Sequence, residues 1–266
     1  MNAQYPVTLL LSVYNGASTL DRCFESLQKQ TYQNFSLLCI NDASTDTSLE
    51  KIQRWQKIFG SKRLSIITHE KNQGLTQSLN SGLKQITTPF TARIDDDDWW
   101  DERKLDKQMQ FLNEHSNYGL IGCNYINIAY GKSKEVRCPE TDEEIKKSIF
   151  QRNPFAHSTV IFNTALAKKV GGYDEKVRYG QDYDLWFRMM PHTKFFNIQE
   201  FLCSRNSESG ISFEKQNAQM LQCMKTQIKY LRRYAQPLTE YRCLFEPLAV
   251  ILTPGWIKKM KRAHFS

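Results

Sequence analysis

Four consecutive aspartates, Asp95 to Asp98, stand in the stretch ARIDDDDWWDERK and are the strongest chemical signal in the chain. They follow a short apolar run and precede two tryptophans, so they occupy the end of a buried-looking element. Neighbouring carboxylates repel one another unless water or a cation offsets their charge. Mg²⁺ and Mn²⁺ prefer carboxylates and often bind one or two of them together with phosphate oxygens of a substrate. The cluster therefore predicts a cation-held diphosphate site, and the alternative is a solvated acidic loop.

Polar residues also follow three earlier apolar runs. The segments SVYNG, NDASTD and HEKNQG come at the ends of runs that begin at Val7, Phe35 and Leu64. In open α/β sheets, ligands bind outside the carboxyl ends of the strands. These segments and the aspartates are therefore expected to form one composite site.

The elements that must position these residues alternate between two periods. Short apolar runs typical of strands cover Val7–Val13, Phe35–Ile40, Leu64–Thr68 and Pro89–Ile94, and helical spacing starts at Ser18 and covers Thr45–Phe59 and Leu75–Ile86. Alternation at this spacing predicts βαβ units around a mostly parallel sheet flanked by helices. The strands are apolar throughout, which is typical of a sheet covered on both faces.

The second half of the chain is less regular. Its pattern predicts helices at Arg103–His115, Glu143–Phe150 and Tyr183–Met190, strands at Tyr118–Ile128 and Ser158–Phe162, and further helices with a basic face from Phe213 onward.

The composition is that of a globular chain in a reducing compartment. Of the 266 residues, 40% are hydrophobic and 24% are charged. No apolar run reaches the length of a membrane-spanning helix, about 18 residues, and the N-terminus lacks the basic start of a signal peptide. The seven cysteines are scattered without a C-x-x-C pair, which disfavours a zinc site. We expect a cytoplasmic protein with reduced thiols.

The net charge of +8 lies almost entirely in the C-terminal segment. Residues 220–266 carry nine Lys and Arg against two Glu. The last part, LTPGWIKKMKRAHFS at 252–266, mixes cations with aromatic and aliphatic residues. This composition predicts peripheral contact with the anionic inner face of the cell membrane; the alternative is a helix face that packs on the domain or on a second subunit. No nucleic-acid-binding motif is present, so no nucleic-acid partner is expected.

Six segments together resemble the motifs of family 2 glycosyltransferases of the GT-A fold. They are LLSVYNG (10–16), QTYQNFSLLCINDASTD (30–46), NQGLTQSLNSGL (72–83), ARIDDDDWW (92–100), HSTVIFNTALAKKVGGYDE (157–175) and GQDYDLWFRM (180–189). Their order and spacing are those of the family. The resemblance implies a GT-A domain over residues 1–212, with a nucleotide-binding half (about 1–100) and an acceptor-binding half (about 101–212), before a basic helical extension over 213–266.

The resemblance also implies roles at the donor site. Tyr14 would stack on the base of a nucleotide, and Asp42 would hydrogen-bond the base or ribose. Asn72 and Gly74 would shape a loop beside the ribose, and Ser12 belongs to the same donor-binding set. The residue before Asp42, usually Asp in the family, is Asn in this chain.

The aspartates match the D-x-D signature of the family. Asp95 would lie near the ribose and the metal, and Asp97 would ligate the manganese or magnesium ion (Mn²⁺ or Mg²⁺) that bridges the diphosphate. Arg205 would reach the donor phosphates, since a guanidinium suits a diphosphate. The segment 206–212 has the composition of a mobile lid.

The segment GQDYDLWFR resembles the region that holds the general base of the family, which maps to Asp182. Gln181 stands where the family commonly has Glu, so a neighbouring charge is missing. Trp186 is assigned to the acceptor side, with packing in the core as the alternative. His157 is also assigned there, and a structural histidine is the other interpretation.

The implied reaction transfers a sugar from a nucleotide-diphosphate sugar, by family frequency a UDP-sugar, to a hydroxyl of a glycan or lipid-linked glycan. One base without an obvious nucleophile implies direct displacement with inversion. A nucleotidyltransferase is one alternative, but no Gly-rich phosphate loop with a basic residue follows the first strand. A non-catalytic nucleotide-sugar-binding protein is another, and it would have lost Asp97 or Asp182.

Overall fold

The computed structural model describes residues 5–207, 216–245 and 248–249. Its strands are β1 (Val7–Val13), β2 (Phe35–Asn41), β3 (Leu64–Thr68), β4 (Phe90–Asp95), β5 (Trp99–Trp100), β6 (Tyr118–Ala129), β7 (Lys132–Val136), β8 (Ile161–Asn163) and β9 (Lys194–Asn206). Its helices are α1 (Leu20–Gln28), α2 (Ser48–Phe59), α3 (Leu75–Gln85), α4 (Lys104–Glu114), α5 (Asp142–Ser148), α6 (Thr164–Lys169), α7 (Gln181–Met189) and α8 (Gln216–Arg233).

Within these residues the strands form one sheet in the order β3–β2–β1–β4–β8–β6–β9–β5, and β7 pairs with β6. β1 to β4 run parallel as predicted. In the second half β8 pairs antiparallel with β4 and β6, whereas β9 runs parallel to β6. The sheet is therefore parallel in its first half and mixed in its second. One cause is local: a two-residue turn at Tyr130 and Gly131, both with positive φ, reverses the chain between β6 and β7.

The register of the parallel strands brings the polar segments together. Val13 pairs with Asn41, Asn41 with Thr68, and Ser12 with Asp95. The carboxyl ends of β1 to β4 therefore lie side by side at one edge of the sheet.

Helices cover both faces of this sheet. Every residue of β1 is buried, and its side chains alternate between the faces. Leu9 and Leu11 pack in the cluster that includes Phe24 of α1, while Leu10 packs with Leu79 of α3. Two apolar layers thus hold the strand ends in fixed positions.

The sequence pattern is less accurate in the second half. The predicted strand Ser158–Phe162 is wrong at its start, because His157–Thr159 form a 3₁₀ turn and the strand runs from Ile161 to Asn163. No prediction covered β9, whose residues mix buried and half-exposed positions with charges. Such a strand lacks the apolar run that identifies β1 to β4.

The C-terminal helix α8 packs directly on α7. The buried carboxylate of Asp184 accepts hydrogen bonds from Lys229 Nζ at 2.7 Å and from Tyr230 OH at 2.9 Å. The rings of Phe187 and Tyr230 stack with centroids 4.2 Å apart. α8 therefore shares the core of the preceding residues, while residue 213, at which the sequence predicts a division, lies outside the described residues.

No helix in the described part of the chain is long and apolar enough to cross a membrane. The segment 252–266, to which the sequence assigns membrane contact, lies outside the described residues.

Candidate active site

The loop after β1 presents Tyr14 at the open edge of the sheet. The side-chain oxygen of Asn15 accepts a hydrogen bond from the N–H of Thr45 at 2.8 Å, and Ser48 Oγ accepts one from the N–H of Gly16 at 2.9 Å. These bonds tie the loop to the residues around the start of α2. Tyr14 is 51% exposed, so its ring is accessible for stacking on a flat ligand.

Asp42 organises the loop that follows β3. Its carboxylate is buried. Oδ1 accepts a hydrogen bond from the N–H of Gln73 at 2.9 Å and lies 2.8 Å from His69 Nδ1. Oδ2 accepts a hydrogen bond from the N–H of Gly74 at 2.8 Å. Gly74 has φ +85°, a conformation that favours glycine, and Asn72 is exposed. Asp42 shapes this loop, and its contact with a base or ribose stays a prediction.

Asp95 is held from the protein side by two donors. The guanidinium of Arg93 pairs with Oδ1, and Ser158 Oγ donates to Oδ2 at 3.0 Å. The N–H of Asp95 also donates to Ser158 Oγ at 2.9 Å. Burial would raise the pKa of Asp95, but Arg93, with Arg205 and the hydrogen bond from Ser158, outweighs burial and holds the pKa below its usual value. Asp95 is therefore ionised at neutral pH.

Asp96 faces the loop after β1. A Cβ on Gly16 would lie 1.7 Å from Asp96 Oδ2, so the carboxyl rests directly against the glycine. Burial, with the charges of Asp97 and Asp95, raises the pKa of Asp96 to about 8. This carboxyl is therefore largely protonated at pH 7.

Asp98 and Arg205 form a pair behind the strand end. Asp98 is buried; its Oδ1 accepts the N–H of Asn206 at 2.8 Å, and its Oδ2 lies 3.7 Å from Arg205 Nε. Burial and the charge of Asp95 raise the pKa of Asp98. The Arg205 guanidinium also lies over the ring of Tyr125, 5.4 Å from its centroid. A contact between Arg205 and donor phosphates stays a prediction, and the predicted lid lies outside the described residues from position 208 onward.

Asp95, Asp96 and Asp97 are all partly exposed, and Asp95 and Asp97 are the two that the sequence predicts as cation ligands. Among the described residues, no group of three or more His, Cys, Asp or Glu is placed to hold a metal ion by itself. Mg²⁺ and Mn²⁺ commonly complete their coordination with waters and substrate phosphates. Two carboxylates at one strand end therefore fit a cation that arrives with a diphosphate.

Asp182 lies in the first turn of α7 and is nine-tenths buried. Asn153 Nδ2 donates to its Oδ2 at 2.8 Å. Burial raises the pKa of Asp182, and the N–H of Tyr183 and the amide of Asn153 oppose that rise only in part. A buried carboxylate with a raised pKa is suited to accepting a proton.

Three predicted site residues are mainly interior. Trp186 is fully buried with its ring against Phe162, so the core alternative describes it and direct contact with a sugar does not fit.

His157 is nine-tenths buried, and its Nε2 lies 3.0 Å from Tyr173 OH. Burial and the charge of Arg93 lower the pKa of His157, so the ring is neutral. Ser12 is 8% exposed, so its side chain adds little surface to the site.

Sequence reasoning missed Arg93, Ser158, His69 and Asn153. A signal for Arg93 was available, because it is a charged residue in an apolar strand and lies two positions before Asp95, on the same face. Ser158 and Asn153 carry no local signal, since each meets its aspartate across a long stretch of chain.

Several known proteins are similar to this chain in sequence. The profile described as "Glycosyl transferase family 2" matches residues 8–167. The amylovoran biosynthesis glycosyltransferase AmsE of Erwinia amylovora is 32% identical over 187 residues, covering 69% of this chain and 69% of that protein. EpsE of Bacillus subtilis is 28% identical over 268 residues, covering 99% of this chain and 95% of that protein. WfgD of Escherichia coli, named a UDP-Glc:α-D-GlcNAc-diphosphoundecaprenol β-1,3-glucosyltransferase, is 26% identical over 220 residues, covering 79% of this chain and 81% of that protein.

Solved structures share the fold. S. aureus TarS residues 1–349 in complex with UDP-GlcNAc superpose with a TM-score of 0.70 at 17% identity, over 93% of this chain and 71% of that one. The mannosyltransferase PcManGT of Pyrobaculum calidifontis, solved with GDP-Man and Mn²⁺, has a TM-score of 0.65 at 15% identity, over 94% of this chain and 70% of that one. Both neighbours have the GT-A type of fold, so the similarity shows that fold for this chain.

Proposed function

Because the chain belongs to glycosyl transferase family 2, we propose that it moves a sugar from a UDP-sugar to a hydroxyl of a glycan or lipid-linked glycan. The observation that carries this proposal is that the exposed ring of Tyr14 and the partly exposed carboxylates of Asp95 and Asp97 lie at the carboxyl ends of the paired strands β1 and β4. An aromatic face and acidic ligands at one edge suit a base and a cation-held diphosphate.

The cation proposed here is Mn²⁺ or Mg²⁺, held by Asp97 with Asp95 beside it. Bound there, it would offset the negative charge that the leaving diphosphate gains. Asp95 is already ionised and oriented by Arg93 and Ser158. Arg205, which pairs with Asp98, would add positive charge near the same strand end.

Asp182 is proposed as the general base. In its ionised form, it would take the proton of the acceptor hydroxyl as the hydroxyl attacks the sugar. Burial raises the pKa of this carboxylate and so increases its affinity for that proton. Direct attack without an enzyme nucleophile predicts an inverted anomeric configuration, which NMR of the product would report.

The acceptor is proposed to be a glycan on a lipid carrier. WfgD, a relative over 79% of this chain, is named for transfer to a diphosphoundecaprenol-linked sugar. Basic and exposed apolar residues in the described C-terminal part, including Arg233, Arg242 and Phe245, suit peripheral contact with an anionic membrane. Sedimentation with phosphatidylglycerol vesicles checks this, and equal retention on purely zwitterionic vesicles would contradict it.

The experiment that tests the donor site is calorimetric titration of UDP and GDP, in Mn²⁺ or in EDTA. We expect UDP to bind the wild-type protein far more tightly in Mn²⁺ than in EDTA. Asp97→Ala should lose this Mn²⁺-dependent increase in UDP affinity. Asp106→Ala is the matched control, since Asp106 is an exposed aspartate on α4. If wild type bound neither nucleotide with Mn²⁺, the assignment of the aspartates to a donor site would be wrong.

A further inference from the structure

Arg93 is a cation buried inside the sheet. Its side chain is fully buried on β4, and its ion pair is with Asp95. Its Nε and Nη1 atoms find no hydrogen-bond acceptor among the described residues. A buried charge is costly unless a partner of opposite sign compensates it, so Arg93 and Asp95 depend on each other.

The second partner of Asp95 is fixed just as firmly. Ser158 exchanges two hydrogen bonds with Asp95, through the backbone N–H and through Oδ2. The carbonyl of Ser158 accepts the indole N–H of Trp100 at 2.8 Å, and the N–H of Arg93 donates to the carbonyl of Val160 at 3.1 Å. The 3₁₀ turn that carries Ser158 is therefore locked to β4 and β5.

Together the two donors engage both oxygens of Asp95. Oδ1 meets Arg93 and Oδ2 meets Ser158, which leaves the remaining lone pairs for a ligand on the exposed side. A carboxylate oriented in advance loses less conformational freedom when it meets a cation.

We propose that Arg93 and Ser158 are positioning residues that act through Asp95, and that they increase the affinity gain that a divalent cation adds to nucleotide binding. This inference rests on the proposed donor site. It differs from a purely structural role, because loss of structure would weaken nucleotide binding with and without the cation alike.

The readout is therefore a ratio: UDP affinity in saturating Mn²⁺ divided by UDP affinity in EDTA, measured by calorimetry. Changes to groups that orient a metal ligand typically cost about 10–100-fold in metal affinity. We expect Arg93→Met to lower the ratio by about tenfold or more and Ser158→Ala to lower it by less. Arg93→Lys keeps the charge and should recover part of the loss. Arg103→Met, which changes an exposed arginine, should leave the ratio unchanged.

The outcomes separate the two proposals. If wild type shows no Mn²⁺-dependent UDP binding, the donor site itself is wrong and this inference falls with it. If wild type binds but Arg93→Met keeps the wild-type ratio, only the inference is overturned. Circular dichroism shows whether Arg93→Met folds. If it does not fold, the test passes to the other two variants. A wild-type ratio in both Ser158→Ala and Arg93→Lys then overturns the inference, and a lowered ratio in Ser158→Ala supports the inference.

Discussion

At the scale of single residues, the pKa values of Asp95, Asp96 and Asp98 shift in different directions because each carboxyl has different neighbours. Asp95 meets a buried guanidinium and stays ionised. Asp96 rests against Gly16 with a raised pKa, and Asp98 is buried beside Arg205. The repulsion within the cluster is thus relieved by pairing and protonation before any ligand arrives. Asp95, Asp96 and Asp97 each keep part of their surface exposed.

Asp182→Asn should lower the transfer rate by about 10²–10⁴-fold, the usual contribution of a general base. UDP binding in Mn²⁺ should persist, because Asp182 lies on α7 and not at the end of β4. Rate and calorimetry on one preparation check both parts. Equal loss of binding and rate would contradict the assignment.

The rate should also depend on pH through Asp182. The base acts ionised, and burial raises its folded pKa, so activity should rise with pH through a value above that of an ordinary aspartate. Asn153→Ala removes a hydrogen bond that favours the ionised form, which raises the pKa further and shifts the acidic limb to higher pH. A pH–rate profile of each protein measures the shift, and coincident limbs would exclude Asp182 as the titrating group.

Gly16→Ala should be disruptive although the loop is at the surface. The added methyl would overlap Asp96 Oδ2, and overpacking of this kind costs about 1–3 kcal/mol. Asp96→Ala in the same chain removes the obstacle and should restore stability, as measured by urea unfolding. Asp96→Asn alone should have little effect at pH 7, because Asp96 is already largely protonated. No recovery in the double variant would show that the clash is not the cause.

At the scale of elements, the candidate active site depends on how the fold arranges the ends of its helices and strands. The parallel register brings the ends of β1, β2 and β4 together, and α7 presents Asp182 from the second half of the chain. α7 is fixed in turn by α8, through contacts of Lys229 and Tyr230 with Asp184. A helix distant in sequence therefore supports the element that carries the proposed base.

Asp184→Asn should destabilise the fold by about 2 kcal/mol. The change leaves Arg188 and Lys229 without their carboxylate; removing one partner of a fully buried pair costs about 3–5 kcal/mol, and the exposure of Lys229 reduces that figure. Urea unfolding measures the loss. Glu25→Gln, at an exposed position of α1, is the control, and equal stability of the two variants would contradict a supporting role for Asp184.

At the scale of the whole molecule, the C-terminal helix belongs to the folding unit. Tyr230 and Leu231 of α8 are fully buried in the cluster that also contains Phe187 and Trp186. Burying a large apolar side chain contributes about 1.5–3 kcal/mol, while a whole domain is stable by only about 5–15 kcal/mol. The contribution of α8 is therefore a large share of the total.

A chain that ends at residue 212 should consequently lose cooperative unfolding or aggregate. A chain that ends at residue 249 keeps α8 and should unfold like the full chain. Calorimetric melting of the three proteins checks this. A sharp, unshifted transition for the shorter chain would show that α8 is an appendage, as the sequence-based division at residue 213 assumed.

The sequence alone determined the parallel part of the sheet, β1 to β4. β1 to β4 are continuous apolar runs separated by helical periods, and both are local patterns that a reader can count along the chain. The polar segments at the strand ends follow from the same pattern, because parallel strands place their carboxyl ends at one edge. Tyr14 and the aspartates could be assigned to one site for this reason.

Only the tertiary structure decided how each charged group is used. Arg93 and Asp95 share a strand face, but their bond to Ser158, the bond of Asn153 to Asp182 and the docking of α8 on α7 each join residues far apart in sequence. Trp186 is fully buried in the core, whereas Tyr14 is exposed at the sheet edge. Charge state and exposure depend on which neighbours the fold brings within a few ångströms, and no local pattern in the chain encodes that proximity.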